Sequence, residues 1–195
     1  MVEKTKITVG NIIYLLSAAI IIIMLVNPTA KSLLIRGLIS VGFFKPDIPV
    51  QVSKKALADP FNIFFRDSSG RILNTSDLKG KVIFVNFWAT WCPPCIAEMP
   101  NLNGFYKQYK NYPNAVFILV DVDNNYTKAN AFMKKHQYVL PVYTLASNVP
   151  ESIMDGTIPT TLVFNKKGEL VFKHTNAANY NSAGFTDYFN KLTKQ

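Results

Sequence analysis

The chain has little of what a metal centre or a disulfide scaffold needs, with two cysteines and two histidines in 195 residues. A structural zinc site takes four protein ligands, yet beside the single C-x-x-C at Cys92 and Cys95 there is no second such pair and no H-x-x-x-H. His136 and His174 stand far apart and are expected at the surface, so no metal site is predicted. One cysteine pair cannot staple a fold, and stability must come from an apolar core. Acidic residues are also scarce, 12 against 21 lysines and arginines, for a formal charge of +9. The lysines are scattered among aromatics, without a tight basic run or a nucleic-acid motif. The charge therefore suits an anionic membrane surface or acidic partner proteins, and nucleic acid is not expected as a partner. Internal repeats and low-complexity tracts are absent too, and the length leaves room for one domain plus an anchor.

Charge is missing altogether between Ile7 and Ala30. Ile7 to Val26 is apolar but for Thr8, Gly10, Asn11, Tyr14 and Ser17, and about 20 helical residues reach across a bilayer core of about 30 Å. Residues 1–6 are thus read as a short tail and 7–26 as a single transmembrane anchor. A cleaved signal peptide is the alternative. Two features oppose it: Pro28 lies where a small residue is wanted before the cut, and no cysteine lies nearby to receive a lipid. Charge leaves the orientation open, because Lys4 and Lys6 before the span are matched by Lys31, Arg36 and Lys45 after it. Residues 27–53 read as a juxtamembrane segment and linker. Within them Ser32 to Phe44 is too short to span; it is either an interfacial helix, with Leu34, Leu38 and Ile39 toward the membrane and Arg36 toward headgroups, or a plain connector. Lys45-Pro46-Asp47-Ile48-Pro49 breaks any helix, and the soluble domain is placed at 54–195.

The run Val82 to Trp88 is rich enough in β-branched and aromatic residues to be a buried strand, and the cysteine pair follows it directly. Cys92 falls where a helix N-cap would sit. Pro93 suits the first helical position, since its missing N–H would be an orphan there, and Pro94 still lies in the first turn. Unpaired amides and the positive end of the helix dipole stabilise a thiolate at Cys92 over a thiol. Cys95, about one turn on, lies within reach and is expected to be the more covered, so the pair is suited to cycling between dithiol and disulfide.

At N-F-W-A-T-W-C-P-P-C (86 to 95), Glu98-Met99-Pro100 and I-P-T-T-L-V-F (158 to 164) the sequence resembles the thioredoxin superfamily, and more closely its membrane-anchored, extracytoplasmic TlpA/ResA-type thiol-disulfide oxidoreductases. The resemblance runs in order from Pro60 to Lys194. It implies an α/β thioredoxin-like fold, a central mixed sheet flanked by helices with an N-terminal β-hairpin. Asn86 departs from ordinary thioredoxins, which carry a buried aspartate there, so proton handling must be sought elsewhere. The TlpA/ResA pattern has a glutamate at the position of Glu98. Three residues after Cys95, it falls on nearly the same helix face, where a solvated carboxylate is the plainer reading and proton handling the functional one. Pro159 resembles the cis-proline that packs against the disulfide in this fold. With it, the Ile158 backbone would be offered to an extended incoming chain.

The remaining elements follow from pattern. Phe61–Arg66 and Arg71–Leu73 flank Asp67-Ser68-Ser69-Gly70 as a β-hairpin. Ile96, Met99, Leu102, Phe105 and Tyr109 continue one long helix with Pro100 inside it, where a kink is expected. Ala115 to Val120 is a buried strand, and Asp121 and Asp123 after it are read as a loop and helix N-cap rather than a metal site. Tyr126 to His136 is helical, Val139 to Leu145 leads into a strand, and Pro150 to Asp155 is read as a short helix. Strands Thr160–Asn165 and Glu169–His174 form a second hairpin, and Phe185, Tyr188, Phe189 and Leu192 mark a terminal helix. Trp91, next to Cys92, is read as covering the site and meeting partners, while Trp88 suits core and rim alike.

The sequence reading is therefore a single-pass protein of the inner (cytoplasmic) membrane with a periplasmic thioredoxin-like domain. Cys92 would attack a partner disulfide, Cys95 would resolve the mixed disulfide, and Glu98 would handle the proton. Trp91, Pro93, Pro94, Ile158 and Pro159 would contact the client. No cofactor is implied, and a monomer is expected. Partners are disulfide-bearing envelope proteins, apocytochrome c among them, a membrane dithiol that supplies electrons, and membrane lipid. Two other classes share the fold. A copper metallochaperone would want a histidine near the cysteine pair, which neither His136 nor His174 obviously supplies. A peroxiredoxin would want a threonine three residues before its cysteine, where Ala89 stands.

Overall fold

The computed structural model describes residues 9–44, 46, 62–151 and 153–194. The expected domain boundary near Ser53 lies outside the described residues. Helix α1 (Val9–Val26) contains no buried residue and is long and apolar enough to cross a membrane. One residue separates it from α2 (Pro28–Ser40). That residue, Asn27, caps α2 by accepting hydrogen bonds at Oδ1 from the Thr29 and Ala30 amides, at 2.9 and 3.4 Å, with Pro28 at the first helical position.

In the domain, β1 (Phe64–Arg66) and β2 (Ile72–Asn74) form the expected hairpin. Its turn is held by Asp67 Oδ1, which accepts from the Ser69 and Arg71 amides, and by Gly70 at φ +83°. The sheet continues with β3 (Val82–Trp88), β4 (Ala115–Asp121), β5 (Val142–Leu145), β6 (Thr160–Phe164) and β7 (Leu170–Thr175). Its spatial order is β2-β1-β5-β4-β3-β6-β7. Strands β3, β4 and β5 run parallel, and β6 and β7 return antiparallel on one side as β1 and β2 do on the other. This is the mixed sheet of a thioredoxin-like fold with its N-terminal hairpin.

Strand β3 lies inside the sheet between β4 and β6 and is buried along its whole length, so both its faces are covered. Val82, Phe84 and Trp88 join one core cluster while Ile83, Val85 and Phe87 join the other, the two-residue period of a strand dividing its side chains between two layers. Phe84 anchors the first layer, with the rings of Phe105, Phe117, Tyr180 and Phe185 at centroid separations of 5.3 to 6.2 Å. Trp88 is fully buried and belongs to the core rather than the rim. Helix α3 (Pro93–Tyr109) continues through Pro100, α4 spans Tyr126–Lys135 and α5 spans Ala183–Lys194. Where a short helix is expected after Pro150, the Ile153 and Met154 amides bond to the Pro150 carbonyl as a turn, and Ile153 is buried.

The segment after α1 differs most from expectation. Ile39 is buried against Ala97 of α3 and Ala177, with Ile35 and Phe44 beside it, so this face of α2 packs on the domain and not on lipid. Arg36 likewise turns inward to lie against His136 and Tyr138. Leu33, Leu34 and Leu38 remain exposed. Burying Ile39 removes more apolar surface from water than a free connector could, which is the physical reason for docking.

Candidate active site

The strand-to-helix junction places the cysteines as the local sequence demands. Strand β3 ends at Trp88, three residues turn, and Cys92 sits at the N-cap of α3 with β-region backbone, its sulfur accepting from the Cys95 amide at 3.3 Å. Cys92 and Cys95 are joined as a disulfide with Cα atoms 5.3 Å apart. Cys95 is fully buried and Cys92 is 3% exposed, so the first sulfur is the one solvent reaches. The peptide bond between Ile158 and Pro159 is cis, and the Ile158 carbonyl oxygen lies 3.8 Å from the Cys92 sulfur.

Around this pair the surface is mostly apolar. Trp91 is 56% exposed, and its indole N–H donates to Asp123 Oδ2 at 2.8 Å, a bond that orients the ring beside Cys92. Pro93 and Pro94 share a hollow of about 350 Å³ with Met24, Lys31, Leu34 and Ile35. Asp121 serves the loop: it is buried and accepts the Asn125 amide at 2.7 Å, while Asn125 itself caps α4. Burial raises the Asp121 carboxyl above the usual range. His136 packs against Phe132, with ring centroids 4.5 Å apart, and burial first, then the charges of Lys135 and Arg36, lower its pKa.

Glu98 is the unusual group. It is fully buried one turn beyond Cys95, which overturns the plainer reading of a solvated helix carboxylate. Its Oε1 accepts from Asn86 Nδ2 at 2.8 Å and its Oε2 from the Ala178 amide at 3.1 Å. The second Asn86 amide hydrogen goes to Thr161 Oγ1 at 2.9 Å. Burial pushes the Glu98 pKa up from 4.5 to about 8, against the opposing pull of the Asn86 and Ala178 bonds. At neutral pH the group is thus mainly a carboxylic acid, and it can lose or gain a proton near working pH. The Tyr180 phenol is buried alongside; its pKa is raised well above 10 by burial first and the Glu98 charge second, with Thr161 opposing.

Cys92, Cys95, Glu98 and Ile158 thus come together, with Trp91, Pro93 and Pro94 at the rim. Sequence reasoning missed Thr161, Tyr180, the Ala178 amide and Asp123. Thr161 lay inside the quoted I-P-T-T motif, but nothing marked its side chain as facing Asn86. Tyr180 carried no signal beyond being aromatic.

A family model described as Redoxin matches residues 56–191. The thiol-disulfide oxidoreductase ResA of Bacillus cereus (strain ZK / E33L) is 33% identical over 133 residues, covering 68% of this chain and 74% of that protein. ResA of Bacillus subtilis (strain 168) is 32% identical over 118 residues, covering 58% of this chain and 64% of its own length. The crystal structure of StoA from Bacillus subtilis superposes with a TM-score of 0.52 at 22% identity, covering 70% of this chain and 99% of that one, a likeness of fold. With a disulfide-forming C-x-x-C at the head of a thioredoxin-fold helix, the chain belongs to the Redoxin family and is a thiol-disulfide oxidoreductase of the ResA/TlpA type.

Proposed function

We propose that this protein reduces disulfides of extracytoplasmic proteins, cysteine-bearing envelope proteins such as apocytochrome c being the class of client, while anchored to the membrane. The observation that carries this reading is a buried carboxylic acid, Glu98, one helical turn beyond a disulfide-forming pair whose first sulfur is the more accessible. In the reduced protein the Cys92 thiolate attacks a client disulfide; a Cys92–client bond forms and the other client sulfur leaves as a thiolate. Glu98, once it has released its own proton, takes the proton of Cys95 on its carboxylate, one S–H bond breaking as one O–H bond forms. The Cys95 thiolate attacks the Cys92 sulfur, the Cys92–Cys95 bond forms, and the second client thiolate departs. Two electrons have passed from the dithiol to the client. An extended client segment can lie against the Ile158–Pro159 backbone, with Trp91, Pro93 and Pro94 as apolar contacts.

The test is trapping. Cys95→Ala holds clients as mixed disulfides through Cys92, and in the wild-type dithiol Cys92 alkylates faster than Cys95. Equal trapping by Cys92→Ala through Cys95 would reverse the assignment. A reduction potential toward the thioredoxin end, about −270 mV, supports a reductase, and one near −120 mV would make the protein an oxidant.

The uncovered apolar surface of α1 supports a single span, and the resemblance to the TlpA/ResA type is the ground for reading the domain as extracytoplasmic. Leu33 and Leu38, joined to that span through Asn27, are then the surface of α2 left for lipid. A membrane-held dithiol is the electron donor this placement suits.

A further inference from the structure

We propose that Asn86 is a positioning residue for Glu98 whose side-chain amide turns over with the carboxyl proton, so that the buried group is hydrogen-bonded in both its states. This rests on the reading of Glu98 as the acceptor of the Cys95 proton. As the side chains stand, the amide nitrogen of Asn86 gives both hydrogens, one to Glu98 Oε1 and one to Thr161 Oγ1. That arrangement suits an ionised carboxylate, which only accepts. Meanwhile the Asn86 carbonyl oxygen is buried without a hydrogen-bond partner among the described residues. Rotating the amide half a turn exchanges the two ends. The carbonyl then occupies the place of the nitrogen, within hydrogen-bond distance of the same two oxygens, and accepts from a protonated Glu98 and from the Thr161 hydroxyl. Thr161 can serve both arrangements because a hydroxyl donates or accepts by turning about its C–O bond. The three side chains thus make two hydrogen bonds in either state, with one end of the amide unpaired each time.

The residue type matters for this. An aspartate at 86 while ionised has no hydrogen to give to an ionised Glu98, and two buried carboxyls side by side share one proton and titrate as a pair. A leucine leaves Glu98 with the Ala178 amide alone. Asparagine accommodates the proton without competing for it. When Cys95 passes its proton to Glu98, one S–H bond breaks and one O–H bond forms; the negative charge moves from carboxylate to sulfur, and the amide rotates to accept the new O–H.

The groups facing Glu98 make the experiment clean. They are Cys95 one turn earlier on α3, Asn86 on β3 with Thr161 of β6 behind it, and the Ala178 amide and Tyr180 phenol on the segment after β7. In the disulfide form the cysteines do not titrate, and the phenol stays neutral across the neutral range. Full-length oxidised protein in detergent micelles, labelled at asparagine amides and glutamate carboxyls, is titrated by NMR from about pH 6 to 10. The Asn86 amide and Glu98 carboxyl signals should move together with one midpoint, and the Asn86 movement should vanish in Glu98→Gln. A Glu98 that titrates beside an unresponsive Asn86 overturns the proposal and leaves the proton role intact. A Glu98 that does not titrate in this range removes the proton role as well. In the reduced enzyme, Asn86→Asp should move the pH midpoint of mixed-disulfide resolution by about one unit or more. Thr161→Val should slow resolution and Thr161→Ser should restore it; an Asn86→Asp profile that overlays the wild type would also overturn the proposal.

Discussion

Glu98 joins chemistry to stability. Its folded pKa, about 8, lies above the 4.5 of a free side chain, so between those values the folded protein holds a proton that the unfolded chain has released. The group's contribution to stability is therefore full below about pH 4.5 and lost as pH rises toward 8. The slope is at most about 1.4 kcal/mol per pH unit. Denaturation of the oxidised protein between these limits should show that decline, and Glu98→Gln, which cannot ionise, should flatten it. Trp91 supplies a second prediction at this scale. Its indole is half exposed and held by Asp123, so Asp123→Ala should free the ring and weaken client capture several-fold, with stability changed by less than about 0.5 kcal/mol. Trapping yield with Cys95→Ala as background measures the first effect and thermal unfolding the second.

Helix α2 ties α1 to the redox helix. Ile39 packs on Ala97, the neighbour of Glu98 in sequence, and on Ala177, the neighbour of the residue whose amide bonds Glu98. Just past α2, the Phe44 carbonyl accepts the Asn179 amide at 3.2 Å, so the docked segment grips the same loop. Ile39→Asp would bury an unpaired carboxylate there, and the cheapest relief is release of α2. Hydrogen exchange should rise in α2 and in the segment 177–179 while β3 to β5 stay protected; unchanged exchange in α2 would mean that the docking does not hold it. Strand β3 behaves differently, because Phe84 sits among the rings of Phe105, Phe117, Tyr180, Phe185 and Phe189 in a covered layer. Phe84→Ala should lower global stability by about 3–5 kcal/mol, read from denaturant midpoints, with no local escape.

For the whole molecule, the exposed α1 and the leucines of α2 predict two behaviours in cells. The full chain should remain with membranes through a carbonate wash, and a chain starting at Ser53 should be soluble. Recovery of mature protein in the soluble fraction, beginning after Ala30, would make the first helix a cleaved signal. Removing the anchor in this way also removes α2 from α3, so the shorter chain should show faster exchange around Ala177 even where its fold is intact.

What the amino-acid sequence determined by itself was local or periodic. Seven consecutive residues of β3 announced a strand covered on both faces, and a proline after Cys92 announced a helix start with the cysteine at its cap, since both are decided within one or two turns of chain. Hydrophobic spacing likewise located α3, α4 and α5 to within a few residues. It could not say which side of α2 meets the domain, because Ile35 and Ile39 on one side and Leu33 and Leu38 away from it are equally apolar, and only the shape of the surface at Ala97 and Ala177 chooses between them. Nor could it furnish Glu98 with its surroundings. Thr161 and the Ala178 amide are brought to Asn86 and Glu98 across 75 and 80 residues by the pairing of β3 with β6 and the return of the chain after β7. Burial, which turns an ordinary glutamate into an acid that titrates near pH 8 against the opposing pull of its hydrogen bonds, is a property of that assembled neighbourhood and of no single stretch of the chain.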